Sequence, residues 1–209
     1  MGRSLFEREE FLRAALRLVD EGGPPAVTVG SLARALAAPT GSFYHRFGSR
    51  DELLAELWLE QVRAFQAGFF AALDSGDGLA AALHTPAWAR AHPAAARLLL
   101  IHHRDDFVKG GWPAGLRANV QAQADDVARR LARYARAQFA STSAAALRRA
   151  SFVLVDLPTA AVRPHLHRRE PVPAVVDELV RTAYVALTEP VAPPRTGLAA
   201  TPPRRRPRR

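Results

Sequence analysis

The sequence predicts an all-α protein, and three observations carry that expectation. Apolar residues recur at helical spacing along most of the 209-residue chain, with no convincing strand alternation between them. Two stretches have capping-box form, Ser4-Leu5-Phe6-Glu7 and Ser49-Arg50-Asp51-Glu52, each set before an apolar run. Gly and Pro cluster at 22–25, 76–78, 110–113 and 163–171, dividing the chain into helix-sized pieces. The expected architecture is about nine helices, with three N-terminal helices forming one unit and a larger helical body following.

Each element has a local reason. The first helix is expected from Ser4, with Phe11, Leu12, Ala15, Leu16 and Val19 on its apolar face and Gly22-Gly23-Pro24-Pro25 ending it. Thr28 is placed as the N-cap of a short helix over 29–36. A turn at Ala37–Pro39 leads to another short helix over 40–46, which Gly48 ends. Ser49 then starts a longer helix whose face runs Leu53, Leu57, Trp58, Val62, Phe65 and Phe69. Further helices are expected near 79–91, 94–103, 114–140, 143–162 and 173–188, with Pro158 kinking or ending the fourth of these. Residues 190–209 are Pro/Arg-rich with little apolar bulk and are expected to be disordered. The resulting division is 1–48, 49–189 and 190–209.

Composition excludes several classes. Hydrophobic residues make up 48%, enough for a core, yet nothing matches the run of about 18 apolar residues that a membrane span needs. The N-terminus lacks the apolar stretch of a secretory signal. There is no cysteine, which removes disulfides and thiolate metal sites and fits a cytoplasmic protein. The net charge of +9 is unevenly distributed. Residues 1–55 hold seven Arg and seven acids, whereas the last twenty residues hold six Arg and no acid. The overall basicity therefore does not by itself describe a DNA-binding surface.

The informative stretch runs from Thr28 to Leu54. Two short helices joined by a tight turn under a first helix make a helix-turn-helix. Phe43 and Phe47, four apart, supply inward anchors that Leu32, Ala33 and Leu36 can meet. That leaves Thr40, Gly41, Ser42, Tyr44 and His45 on the other side. Gly41 and Ser42 permit close approach to a duplex, and Tyr44 and His45 can donate hydrogen bonds to phosphates or a base edge. Arg34, Arg46 and Arg50 are the candidate cations, with simple surface charge as the alternative for Arg34 and Arg46.

Thr28-Val29, Leu32-Ala33-Arg34, Thr40 to Phe47 and Ser49 to Leu54 together resemble the N-terminal signature of the TetR family, over residues 5–58. The resemblance implies a homodimeric transcriptional repressor that binds a palindromic double-stranded DNA operator and is released by a small hydrophobic or aromatic effector. It implies that Thr28 both caps its helix and touches a phosphate, that Tyr44 and His45 contact DNA, and that Arg50 helps to hold a phosphate. Ala37 and Ala38 depart from the family's usual Gly and branched apolar residue, and Pro39 departs from its usual Ser or Thr cap.

For the body, Phe65, Phe69, Trp88, Leu99, His102, Trp112 and Phe139 are candidate lining residues of an effector pocket, with core filling as the competing explanation. Phe152, Val155, Val176, Leu179, Val180, Tyr184 and Leu187 are candidates for a four-helix dimer interface. No metal site, no cofactor and no catalytic constellation is evident. The competing function is a ligand-binding helical module of the same fold that does not read DNA.

Overall fold

The computed structural model describes residues 7–108 and 114–189, and among them every regular element is helical. The expected Ser4 cap, Trp112 and the Pro/Arg tail lie outside the described residues. The segments are α1 (Arg8–Gly22), α2 (Val29–Leu36), α3 (Thr40–Tyr44), α4 (Arg50–Asp74), α5 (Gly78–Ala91), α6 (Pro93–Ile101), α7 (Ala114–Phe139), α8 (Ala144–Ser151), α9 (Leu157–Arg168) and α10 (Val175–Thr188). A π turn at Phe152–Asp156 joins α8 and α9 into one rod, so the described residues form nine rods.

The helix ends show why these boundaries hold. α1 starts at Arg8, not Ser4, because the Glu7 N–H donates to Glu10 Oε2 at 2.7 Å and closes the first turn there. α2 starts as expected: Thr28 Oγ1 accepts from the Ser31 N–H at 3.0 Å, and Ser31 Oγ accepts from the Thr28 N–H at 2.8 Å. At α4, Ser49 Oγ accepts from the Glu52 N–H at 3.0 Å, while Glu52 reaches back to the Gly48 N–H at 2.8 Å instead of to Ser49. Half of the anticipated capping box is thus displaced by one residue.

The expected break before Arg163 does not occur. Pro158 cannot donate to the Leu154 carbonyl, and its ring would crowd that oxygen in a regular helix. The preceding turn widens, the Leu157 N–H reaches the Phe152 carbonyl, and the rod continues to Arg168. It ends where Arg169 turns left-handed (φ 56°), with the Glu170 N–H bonded to the His165 carbonyl at 2.9 Å.

Two apolar cores organise the chain. One lies under the N-terminal helices: Phe11, Ala15, Val19, Leu32, Phe43 and Phe47, joined by Leu53, Leu54 and Leu57 of α4 and Leu98 of α6. The other fills the body with Phe69, Trp88, Ala96, Val153, Leu154, Val162, Val176 and Val180. The N-terminal core does not stop at residue 48, since α4 contributes its first two turns to it and its later turns to the body.

Candidate functional site

The helix-turn-helix is built around three phenyl rings. Phe43 and Phe47 are each 1% exposed and stack at 5.6 Å, and Phe11 of α1 meets both edge-on at 5.9 and 6.1 Å. Such ring pairs contribute about 0.5–1.5 kcal/mol beyond the area they bury. They matter here because α3 has only five residues and no side-chain cap. Its first turn is closed by the Ser42 N–H on the Pro39 carbonyl at 2.9 Å, so packing, not local hydrogen bonding, holds it.

With those rings buried, the alternate positions face out. Tyr44 is 63% exposed, its ring resting edge-on against Phe43 at 5.3 Å. Thr28, Arg34, Thr40, Gly41 and His45 are exposed, and Ser42 is half-buried. A Cβ added to Gly41 would meet nothing within 4 Å, so the fold itself makes no demand for glycine there. Pro39 is accommodated with ψ 142°, and Ala37 carries the left-handed turn that precedes it, at φ 50°.

Two of the expected cations have other work. Arg50 donates from Nε to the Val27 carbonyl at 2.6 Å and from a terminal nitrogen to the Pro24 carbonyl at 2.6 Å, and its other end meets Asp51 at 3.1 Å. It fastens the start of α4 to the α1–α2 link and is not a free phosphate ligand; its basic type at that position could not reveal this inward orientation. Arg46 is half-buried and lies 3.6 Å from Glu7, with its carbonyl bonded by Arg8. Arg8 also pairs with Glu56 and covers the Phe47 ring at 4.1 Å, a tie between α1 and α4 that the charge pattern alone does not disclose.

The expected pocket residues separate. Phe65 packs on Phe69 at 5.9 Å and on Trp88 at 5.2 Å, and all three belong to or pack against the body core. His84 fills the same region: its Nε2 lies 2.8 Å from the Phe65 carbonyl, and burial lowers its pKa. Phe139 stands elsewhere, between Tyr134 at 6.0 Å and the Arg149 guanidinium at 4.7 Å. Leu99 and His102, in contrast, do line an open cavity of about 320 Å³ with Trp58, Arg163 and His167. Burial lowers the pKa of the His102 imidazole. Its Cε1 would lie 3.6 Å from a Cβ on Gly23, so this wall of the cavity abuts the α1–α2 link. Nothing in the spacing of Trp58, His102 and Arg163 signals this convergence, because α4, α6 and α9 meet only in the tertiary fold.

The expected interface set also divides. Val176 and Val180 are 3% and 0% exposed and belong to the body core, so they have no area to offer a partner. Tyr184 is half-buried and accepts a hydrogen bond from the Tyr134 hydroxyl at 3.0 Å. Phe152 and Leu179 remain exposed at 47% and 60%, and Val175 and Val185 join them on the surface. Val155 and Leu187 are half-buried. The helical period explains the exchange: on α10, residues 176 and 180 turn inward, and 175 and 179 turn outward.

The described residues thus combine an aromatic-anchored helix-turn-helix with an all-helical body. Residues 11–57 match the family model described as "Bacterial regulatory proteins, tetR family". That match covers the N-terminal segment, and the described chain shares its overall fold with solved structures of regulators of that family. A tetR family transcription regulator from Shewanella sp. PV-4 superposes with a TM-score of 0.63 at 20% identity, over 87% of this chain and 95% of that one. PfmR, a TetR family transcriptional regulator from Thermus thermophilus, gives 0.61 at 21% identity, over 88% and 99%. The transcriptional regulator FadR from Bacillus subtilis, in complex with stearoyl-CoA, gives 0.63 at 11% identity, over 87% and 98%. A comparison with curated proteins gave no match. Among the described residues no helix is long and apolar enough to cross a membrane, and no three His, Asp or Glu side chains gather where they could hold a metal ion.

Proposed function

We propose that this protein is a homodimeric repressor that binds a palindromic DNA operator through α2 and α3 and leaves it when a small effector occupies the body. One observation carries the DNA-reading part. Phe43 and Phe47 are buried while Thr40, Gly41, Tyr44 and His45 stay exposed along α3 and the turn that follows it, which is the division of labour that major-groove entry requires. Tyr44 and His45 supply donors to phosphates or base edges, and Gly41 lets the backbone approach closely. Thr28 has its Oγ1 committed to capping α2, and its exposure leaves it within reach of a phosphate. Arg34, exposed on α2, is the cation best placed to add phosphate affinity.

The exposed apolar residues Phe152, Val175, Leu179 and Val185 support a two-fold contact through the α8–α9 rod and α10, which would set the spacing of the two reading helices. The cavity beside His102 supports the effector part, because it is walled by α4, which also carries the N-terminal core, and because His102 abuts the α1–α2 link. Release then requires only that the effector bind the non-DNA geometry more tightly.

Selection of bound sequences from random DNA tests the reading directly. A palindromic consensus is expected, with binding at least tenfold weaker for the Tyr44→Ala, His45→Ala double variant. No enrichment at all would favour the competing reading, a ligand-binding module of the same fold that does not read DNA.

A further inference from the structure

The cavity at the junction of α4, α6 and α9 has an unusual charge balance. Its wall carries His102, Arg104, Arg163 and His167, and among the described residues no carboxylate lines it. Two acids act on this wall from outside it: Asp105 pairs with Arg104 at 3.3 Å, and Asp106 accepts from the His103 N–H at 2.7 Å and lies near enough to act on His102, which leaves Arg163 as the cation without a carboxylate partner among the described residues. Immediately beside it, Arg97 and Arg169 meet Asp20 and are neutralised. The imbalance is therefore local.

Arg163 is the group that defines the site. The side chain is exposed, and its Nε donates to the Leu100 carbonyl at 3.0 Å, which ties the guanidinium to the end of α6. Neither terminal nitrogen has a partner among the described residues, so a planar fork of donors is held in place and left open. A fork of this kind matches the two oxygens of a carboxylate or phosphoryl group. His167 lies on the same wall, likewise without a hydrogen bond among the described residues. Trp58, Leu99 and Ile101 add apolar surface and His103 a further imidazole, and the volume of about 320 Å³ stands at the small end of ligand sites.

We infer that this cavity binds a small organic anion: a carboxylate or phosphate monoester carried on a flat apolar body the size of a single ring. The anion lies on Arg163 and His167, and the ring lies against Trp58 and Leu99. This narrows the small hydrophobic or aromatic effector that the sequence suggests to one that also carries an anionic group, held where Leu99 and His102 of the expected set line the cavity. The regulatory consequence rests on the effector reading above; the binding itself does not.

The test uses the full chain without DNA. Benzoate, phenyl phosphate and the uncharged benzamide are titrated by calorimetry, with Trp fluorescence as a second readout. The anions are expected to bind saturably and at least tenfold more tightly than benzamide, and the ratio of benzoate to phenyl phosphate tells carboxylate from phosphoryl recognition. Arg163→Gln should weaken the anions at least tenfold and leave benzamide unchanged. Because Arg163 also holds α6, His167→Gln provides a second variant that removes no hydrogen bond seen among the described residues; it should weaken the anions as well. Anions that bind no better than benzamide, or that bind equally well to wild type and both variants, overturn the assignment. Repeating the titration on operator-bound protein separates the two claims. Saturation without any change in operator affinity leaves the anion site standing and removes its regulatory role.

Discussion

Asp20 of α1 grips Arg97 of α6 with both carboxylate oxygens, Nε to Oδ1 at 2.5 Å and a terminal nitrogen to Oδ2 at 2.9 Å. Arg169, the left-handed residue that ends the α8–α9 rod, donates to the Asp20 carbonyl and stands 3.6 Å from its carboxylate. Three separate parts of the chain are thus fastened at one side chain. The hydrogen bond from Arg97 holds the Asp20 pKa below its ordinary value, outweighing the opposing effect of burial. An acid with a depressed folded pKa stabilises the fold above its unfolded pKa and ceases to do so as pH falls through the folded value. Asp20→Asn should therefore cost about 1.5–3 kcal/mol at neutral pH. The deficit against wild type should shrink below the ordinary Asp pKa of about 3.9. Urea unfolding at several pH values reads this; a deficit that does not vary with pH would remove the electrostatic explanation.

Ala37 adopts φ 50° at the end of α2, where an L-residue bearing a Cβ is strained. Ala37→Gly is expected to raise stability by about 1 kcal/mol, less whatever glycine adds to the entropy of the unfolded chain. Thermal unfolding measures the balance, and a lowered Tm would show that the turn is not strained.

Gly41 separates folding from recognition. A methyl group there meets no atom of the protein within 4 Å, and alanine favours a helix over glycine by about 0.8–1.0 kcal/mol. Gly41→Ala should hold or raise the Tm while weakening operator binding at least tenfold. Unchanged DNA affinity would mean that the backbone at this position does not approach the duplex.

Gly78 begins α5 under the Tyr134 and Tyr184 rings, and a Cβ there would collide with both. Burial, reinforced by the hydrogen bond to Tyr184, raises the Tyr134 pKa, so its hydroxyl stays protonated throughout the ordinary range. Gly78→Ala should cost about 1–3 kcal/mol by overpacking, measured by chemical unfolding. A second change, Tyr184→Phe, should relieve only part of that cost, because the Tyr134 ring edge still stands against the added Cβ.

Leu179 is exposed while Val180 is not, and the contrast gives a test of the proposed dimer. Leu179→Glu should shift the protein toward monomer in sedimentation at little cost to subunit stability. Val180→Ala should lower stability by about 0.5–3 kcal/mol without that shift.

How much of the molecule is legible in the sequence depends on how local each cause is. Thr28 and Ser49 declare their caps within four residues, and Phe43 and Phe47 declare their burial by spacing alone, so the helix-turn-helix emerges in the expected place. Glu7 takes over the start of α1 because the competing Glu7–Glu10 closure is equally local and lies one turn later. Pro158 misleads as a terminator because a π turn just before it absorbs the missing N–H and lets the rod continue to Arg168. For Arg50, Val176 and Val180, residue type and period do not tell which face the body covers. The effector cavity is the least legible part, since Trp58, His102 and Arg163 are brought together only by the meeting of three distant helices.

The 25 residues of α4 form one unbroken rod, roughly 37 Å long at 1.5 Å per residue, with its two halves embedded in different cores. A rod seated in this way behaves as a lever. Tilting it by about 5° about the body end carries the other end through roughly 3 Å, a displacement that two symmetry-related copies would double, against half-sites spaced about 34–36 Å apart. Small displacements at the Trp58 wall are therefore magnified in proportion to the distance from the pivot, and mechanical gain of this sort needs no rearrangement of Phe43 or Phe47.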